Sequence, residues 1–400
     1  MARADTYTRW GIVAAGEGGG RIAAEFFARS DNPGIDDRIV LLNTNRADIR
    51  NTIEQANIED SLDEYTTVFG SKRGVGNSFL AGEECAREGL DDIARQIDDR
   101  APDADAFLHT TTLGGGTGNG TIPYLMRQFD AGSEMETRRP WMDSAVHIAL
   151  AAWPYYDEPA HRQFNAICGL SRLLRRRDGE QNADMVLLAA NSHLDESGAA
   201  DSYDAVNRRI LSAIDLLISA GREAHGVVDV EDYVAKPSEI GAYHFTPAVG
   251  EGLNAKMLEF ELLFDRAAEN AFVPMDVGTS RAAYAIVRAP ERLIDSGEVT
   301  TNDVKSAFND WKRKHGLGAA VGMSTLAPKD DRSNDVDVLL LLGGFDLNPL
   351  LEHARGRFEE HKENLETARQ LGTQAESAVS EAYLADLEDN LQTYVDLNAR

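Results

Sequence analysis

Short, continuously apolar runs alternate along the first half of this chain with longer stretches in which apolar residues recur every three to four positions. The runs, at 7–15, 38–43, 106–111, 145–153 and 185–190, are rich in β-branched and strongly apolar residues and read as buried strands. Helical periods fill the gaps, at 22–29, 82–97, 122–129 and 161–174. Such alternation predicts an α/β fold with a doubly wound parallel sheet and helices on both faces, whose ligands sit outside the carboxyl ends of the strands.

A long helix follows at 203–219, its apolar side set by Val206, Ile210, Ile214, Leu217 and Ile218. The next part, about 236–345, reads as a helix at 255–271, strands at 282–288, 319–324 and 336–342, and a helix at 302–315. With one helix between consecutive strands, antiparallel or mixed pairing is expected. From 351 the chain becomes charged and periodic, with Phe358, Leu365, Leu371, Ala375, Val379, Tyr383, Leu387, Leu391 and Val395 stepping mostly by four. This is a one-sided helix broken or kinked near Gly372, which either docks back on the protein or serves a partner. The divisions read as 1–202, 203–235 (the central helix and its following loop), 236–348 (a smaller α/β domain) and 349–400 (a helical tail).

Four hundred residues exceed the size at which a single core stops growing, and 42% apolar residues are enough for two. The net charge of −27, from 67 acidic against 40 basic residues, excludes nucleic acid as an expected partner and suits a salt-rich, halophilic cytoplasm. Two cysteines, Cys85 and Cys168, fit a reducing compartment, and the nine histidines show no zinc spacing. The longest apolar runs are too short to cross a bilayer, and the first residues lack a signal-peptide pattern, so a cytoplasmic protein without a transmembrane segment is expected.

The candidate chemistry lies in the turns. Gly114-Gly115-Gly116-Thr117-Gly118-Asn119-Gly120 follows a strand and opens a helix. Glycines there allow close backbone approach, and free amides at the helix start favour an anion, so the run reads as a phosphate cradle or, alternatively, as a plain flexible loop. Gly16-Glu17-Gly18-Gly19-Gly20-Arg21-Ile22 stands after the first strand. A dinucleotide fingerprint, and hence an NAD-dependent oxidoreductase, would want an acid at the end of the second strand, where Asn43-Thr44-Asn45 stands instead. In Gly74-Val75-Gly76-Asn77, consecutive amides can wrap a terminal phosphate, with Lys72 and Arg73 just before it. Glu158 and Arg162 are four apart, as a surface helix pair would be. Tyr203 and Asn207, also four apart, place an aromatic ring and an amide on one helix face, suited to a purine or to a core position.

GGGTGNG at 114–120 resembles the signature GGGTG(S/T)G of the tubulin and FtsZ superfamily, and Gly19-Gly20-Arg21-Ile22 looks most like its divergent archaeal CetZ-type branch. The resemblance runs over about residues 8–345 and implies a GTPase domain, a long central helix and a second α/β domain. It implies that the Gly16 turn meets the α and β phosphates, with Asn43-Thr44 matching the Asn-Thr after the second strand of FtsZ and Arg21 replacing an Asn that touches guanine. The Gly74–Asn77 segment corresponds to the loop capping the γ-phosphate. Pro154-Tyr155-Tyr156-Asp157-Glu158-Pro159-Ala160-His161-Arg162 matches the spacing of Pro-Phe-x-Phe-Glu-Gly-x-x-Arg, with Asp157 in place of the second Phe and Pro159 in place of the Gly, and implies Glu158 at the ribose and Arg162 beside the base or phosphates. Tyr203 and Asn207 match the Tyr-x-x-x-Asn at the guanine site of tubulin. GTP or GDP with Mg²⁺ is implied.

The family completes its site in trans with the pattern Gly-x-x-Asn-x-Asp-x-x-Asp/Glu. This chain reads Gly226-Val227-Val228-Asp229-Val230-Glu231-Asp232-Tyr233-Val234, so Asp229, Glu231 and Asp232 are the catalytic candidates and Val234 replaces the last acid. Slow or altered hydrolysis is expected. The implied partner is another copy of the chain or a co-assembling paralogue, with a membrane adaptor or regulatory protein in addition. The FtsZ-type C-terminal recognition peptide is missing from the tail. A GTP-dependent interaction protein that does not polymerise alone is the alternative.

Overall fold

The computed structural model describes residues 8–27, 34–35, 37–56, 62–70, 73–130, 138–175, 182–195, 202–219, 230–254, 260–329, 332–373 and 379–399. The chain divides into two compact units, Arg9–Arg208 with Leu347–Asn398, and Arg209–Asp346.

In the first unit, β1 (Trp10–Ala15), β2 (Ile39–Asn43), β3 (Thr66–Val68), β4 (Ala106–Thr112), β5 (Val146–Trp153) and β6 (Met185–Ala190) form a parallel sheet in the order β3-β2-β1-β4-β5-β6. Pairs such as Ile12 with Ile39, Trp10 with Ala106 and Ala106 with Val146 set the register. β1, β2, β5 and β6 are buried at every position, as continuous apolar runs in a doubly covered sheet should be. The order reverses between β1 and β4, which opens a crevice at the carboxyl ends of those two strands. The glycine turns that begin the helices Gly16–Phe27 and Thr117–Phe129 both lie there. The expected helix at 82–97 is two helices, Phe79–Glu88 and Leu90–Arg100, separated at Gly89.

The two terminal helices, Asn348–Gln370 and Glu381–Asn398, pack on the helix Ala160–Leu173 of this unit. Phe358 stacks on Phe164 with ring centroids 5.2 Å apart. Ser171 Oγ donates to the carbonyl of Leu387 at 2.6 Å, and Asn390 Nδ2 donates to the carbonyl of Ser171 at 2.8 Å. Of the two readings of the periodic tail, docking back on the chain is therefore the one observed. The first helix stops where Gly372 turns left-handed, at φ +66°.

The second unit holds β7 (His244–Asn254), β8 (Ala282–Pro290), β9 (Ser324–Lys329) and β10 (Asp335–Gly343) in the order β7-β10-β8-β9, with two antiparallel pairs and one parallel pair. The helices Phe260–Ala268 and Thr301–Lys314 cover it, burying Leu263, Phe264, Phe308 and Trp311 with Val336, Val338 and Leu340. A capping box between Thr300 and Asp303 starts the second helix.

One sequence expectation shifts here, and one strand was not expected at all. The strand expected at 319–324 becomes continuous only at Ser324, because Gly322, at φ +132°, leaves the extended region after an isolated bridge of Val321 to Ala282. The eleven-residue β7 was hidden by Pro247, Gly250 and Gly252, which read as turn residues.

Candidate functional site

At the carboxyl ends of β1, β4, β5 and β6 the first unit carries a cavity of about 510 Å³, within the size range of small-molecule sites. Its floor is the pair of glycine turns. They touch each other backbone to backbone: a Cβ on Gly118 would lie 2.5 Å from the carbonyl oxygen of Ala15, and one on Gly16, which has φ +76°, 2.9 Å from the amide nitrogen of Gly118. Thr117 Oγ1 joins Thr44 Oγ1 at 2.6 Å, tying the second turn to the end of β2. Gly115, in contrast, has open space where its side chain would be.

On one wall stands the Gly74–Asn77 loop with Arg73. Gly74 and Gly76 are left-handed, and Asn77, at φ +62°, is the non-glycine residue with positive φ among the described residues. Another part of the wall is built around Glu158. Its carboxylate accepts from the backbone amide of Tyr155 at 2.8 Å, pairs with Arg162 Nε at 3.2 Å and receives Tyr203 Oη at 3.4 Å. Tyr155 and Tyr203 meet edge to face at 5.1 Å. Tyr203 keeps 42% of its surface exposed, and Asn207 is buried one turn on. An exposed aromatic ring beside a buried amide, in the same cavity as the two glycine turns, can stack on a flat ring and exchange hydrogen bonds with its edge.

Pro159, which replaces the family glycine, has a plain role here. It precedes the helix Ala160–Leu173 with φ −52°, the angle its ring enforces and a helix start tolerates.

Of the sequence candidates, Gly16, Gly18, Arg21, Gly74, Gly76, Asn77, Gly114, Gly115, Gly116, Thr117, Gly118, Glu158, Arg162, Tyr203 and Asn207 line this cavity. Gly19, Gly20, Asn43 and Asn119 stand behind its wall. Gly19 and Gly20 lie against Thr110 and Thr52, and Asn43 turns its Oδ1 to the amide of Asn45. Asn119 is fully buried, its Nδ2 donating to the carbonyls of Leu113 and Asn165, both at 2.8 Å. An amide has two hydrogens for these two carbonyls; the hydroxyl usual at this place has one.

Sequence reasoning missed Glu17, Asn45, Asp48 and Asn191, which also line the cavity. Arg21 pairs with Glu17 at 2.7 Å, an i,i+4 arrangement legible from the helix spacing. Burial and the nearby Glu17 carboxylate raise the Asp48 carboxyl from its ordinary value. Asn191 directly follows β6, where the strand-end rule points.

Glu231 and Asp232 belong to the second unit, both exposed on the short helical turn Val230–Tyr233, and the carbonyl of Asp232 accepts from Tyr284 Oη at 3.0 Å. Asp229 lies outside the described residues. Val234 is buried, 4% exposed. It belongs to the buried apolar core.

Residues 11–198 match the GTPase domain of the tubulin/FtsZ family. The chain is 24% identical over 344 residues to the tubulin-like protein CetZ of Pyrococcus abyssi, covering 83% of this chain and 84% of that protein. Its fold is similar to that of the GDP-bound monomer of CetZ1 from Haloferax volcanii, with a TM-score of 0.71 at 20% identity, covering 88% of this chain and 99% of the other. It is likewise similar to the GTPγS-bound protofilament of CetZ2 from Haloferax volcanii, with a TM-score of 0.69 at 22% identity and the same coverage.

Proposed function

This chain belongs to the tubulin/FtsZ superfamily, and we propose that it is a GTP-binding cytoskeletal protein that stacks head to tail into protofilaments in the cytoplasm, in the service of cell shape or division. The observation that carries the reading is the meeting of both glycine turns, the Gly74–Asn77 loop and the Glu158–Tyr203–Asn207 cluster around one cavity.

In this reading the amides of the two turns, at the starts of two helices, hold the phosphates of GTP or GDP. The Gly74–Asn77 loop faces the terminal phosphate and is released when it leaves. Glu158 accepts from the ribose hydroxyls, Tyr203 stacks on the base, and Asn207 reads its edge. Mg²⁺ accompanies the triphosphate, held mainly by phosphate oxygens and water; Glu17 and Asp48 are the carboxylates on the phosphate side of the wall. A similar fold occurring as a GTPγS-bound protofilament is consistent with head-to-tail contact.

Hydrolysis requires Glu231 and Asp232 of one subunit to reach the nucleotide of the next. With Val234 buried, one water-positioning carboxylate of the family pattern is missing, and slow or altered turnover follows, because catalysis of phosphoryl transfer is positioning plus charge stabilisation. That burial favours a second reading, a nucleotide-gated binder that assembles only with a paralogue or on an adaptor.

GTP turnover per molecule across a protein dilution series, with parallel sedimentation in high KCl and Mg²⁺, separates the two. Specific activity rising with concentration, with GTP-dependent pelleting, is expected for the filament. Binding without pelleting selects the gated binder, and absence of guanine-nucleotide binding overturns both.

A further inference from the structure

The helix Ala160–Leu173 reaches the phosphate side of the cavity through a residue that neither composition nor motif singles out. Asn165 is 5% exposed. Its Nδ2 donates to the carbonyl of Asn77 at 2.9 Å and to that of Gly114 at 3.1 Å, with the Gly115 carbonyl at 3.4 Å. Its own backbone carbonyl accepts from Asn119 Nδ2. Two turns further on, Arg172 donates to the carbonyl of Asn119 at 2.7 Å and pairs with Glu83. One buried helix thus holds two loops that are far apart in sequence.

The bond to Asn77 is the informative one. Asn77 has the left-handed backbone that a residue with a Cβ adopts sparingly, and such a conformation persists only where its surroundings enforce it. The carbonyl that Asn165 holds is that residue's own. Gly116 packs against the same place, where a Cβ would meet the Asn77 carbonyl carbon at 2.8 Å.

We propose that Asn165 is a positioning residue that sets the preference of the site for a nucleoside triphosphate over a diphosphate, by locking the Gly74–Asn77 loop to the Gly114–Gly115 turn. This rests on the nucleotide reading above. Both nucleotides use the two glycine turns, and only the triphosphate uses the Gly74–Asn77 loop. Loss of the lock lets Asn77 relax toward ordinary φ and disperses the loop's amides, and the cost falls on the ligand that needs them. A residue that merely supported the fold would weaken both ligands alike.

The test compares wild type with Asn165→Leu, which removes the donor at similar volume, and with Asn165→Asp, which keeps the shape and replaces the donor by an acceptor. GTPγS and GDP are titrated by calorimetry in high KCl with Mg²⁺, and the melting temperature of the nucleotide-free protein is recorded. The expected result is about tenfold weaker GTPγS binding, equivalent to about 1.4 kcal/mol, with GDP affinity changed less than about threefold. Equal loss for both ligands, or no loss for either, overturns the proposal. If the leucine variant does not fold, the aspartate variant decides. Wild type is titrated first: a wild type that binds neither nucleotide overturns the nucleotide reading itself, whereas a wild type that binds both with a variant of unchanged preference overturns only the role of Asn165.

Discussion

Replacing Gly118 by alanine tests whether the contact of the two glycine turns, rather than glycine content, builds the cradle. A Cβ at this position lies 2.5 Å from the carbonyl oxygen of Ala15 and 2.5 Å from Thr111 Oγ1. Ordinary contact begins near 3.4 Å, so the added atom sits almost 1 Å too close to backbone that cannot rotate away. Overpacking of this kind costs about 1–3 kcal/mol. Gly115→Ala is the matched control, since its side chain would enter open space. Urea unfolding of the nucleotide-free protein should show a lower midpoint for Gly118→Ala, equivalent to about 2 kcal/mol, with an unchanged slope. Gly115→Ala should unfold as wild type does. GTPγS affinity of Gly118→Ala should fall by roughly 30-fold if the strain is concentrated in the loop. A Gly118→Ala protein with wild-type stability and affinity, or a Gly115→Ala protein equally damaged, would refute the reasoning.

The remaining predictions concern the base wall, the trans-acting turn and pH. Tyr203→Ala should weaken GTP binding by about 1–3 kcal/mol through loss of stacking on the base, read by calorimetry, and an unchanged affinity would remove the ring from the base site. Glu231→Ala should abolish any concentration-dependent GTP turnover while leaving GTP affinity intact, whereas Val234→Asp should lower the melting temperature without raising turnover, because a carboxylate would enter a buried place; faster turnover in Val234→Asp would mean that this position faces the neighbouring subunit. His109 Nε2 and His147 Nδ1 lie 3.0 Å apart among Phe107, Phe129 and Trp141, and burial holds His147 down to about 4 and His109 well below its usual 6.5. Unfolding frees them to take up protons near 6.5, so their contribution is complete above that pH and declines as the pH falls below it, down to about 4 for His147, at about 1.4 kcal/mol per pH unit for each proton gained. Urea midpoints from pH 7.5 to 5 at constant salt should fall accordingly, and a flat profile would show that the pair protonates freely in the fold.

Much was legible in the sequence because it is local. Five of the six strands of the first unit announce themselves as short apolar runs, since a sheet covered on both faces has no solvent side to alternate with, whereas β3, a three-residue half-buried strand at the sheet edge, gives no such run. The glycine turns are legible for a similar reason, as their spacing after strands encodes where backbone comes close. Glu158 with Arg162, and Tyr203 with Asn207, are each four apart and so share a helix face before any fold is known. The exceptions have local causes too: β7 carries a proline and two glycines, and a strand so marked is recognised only once β10 pairs with it.

What the tertiary structure alone decided is which of these residues share a space. Gly19, Gly20, Asn43 and Asn119 belong to the motifs yet stand behind the cavity, while Asp48 and Asn191 belong to no motif and line it. Val234 could be read from sequence as a missing charge, but only its burial shows that the position cannot simply be refilled. Asn165 lies 88 residues from the loop it holds and 51 from the turn to which it joins that loop. Sequence patterns record periodicity within one element, whereas a buried amide between two loops depends on packing several elements together; that is why the motifs were visible in the chain and the residue that links them was not.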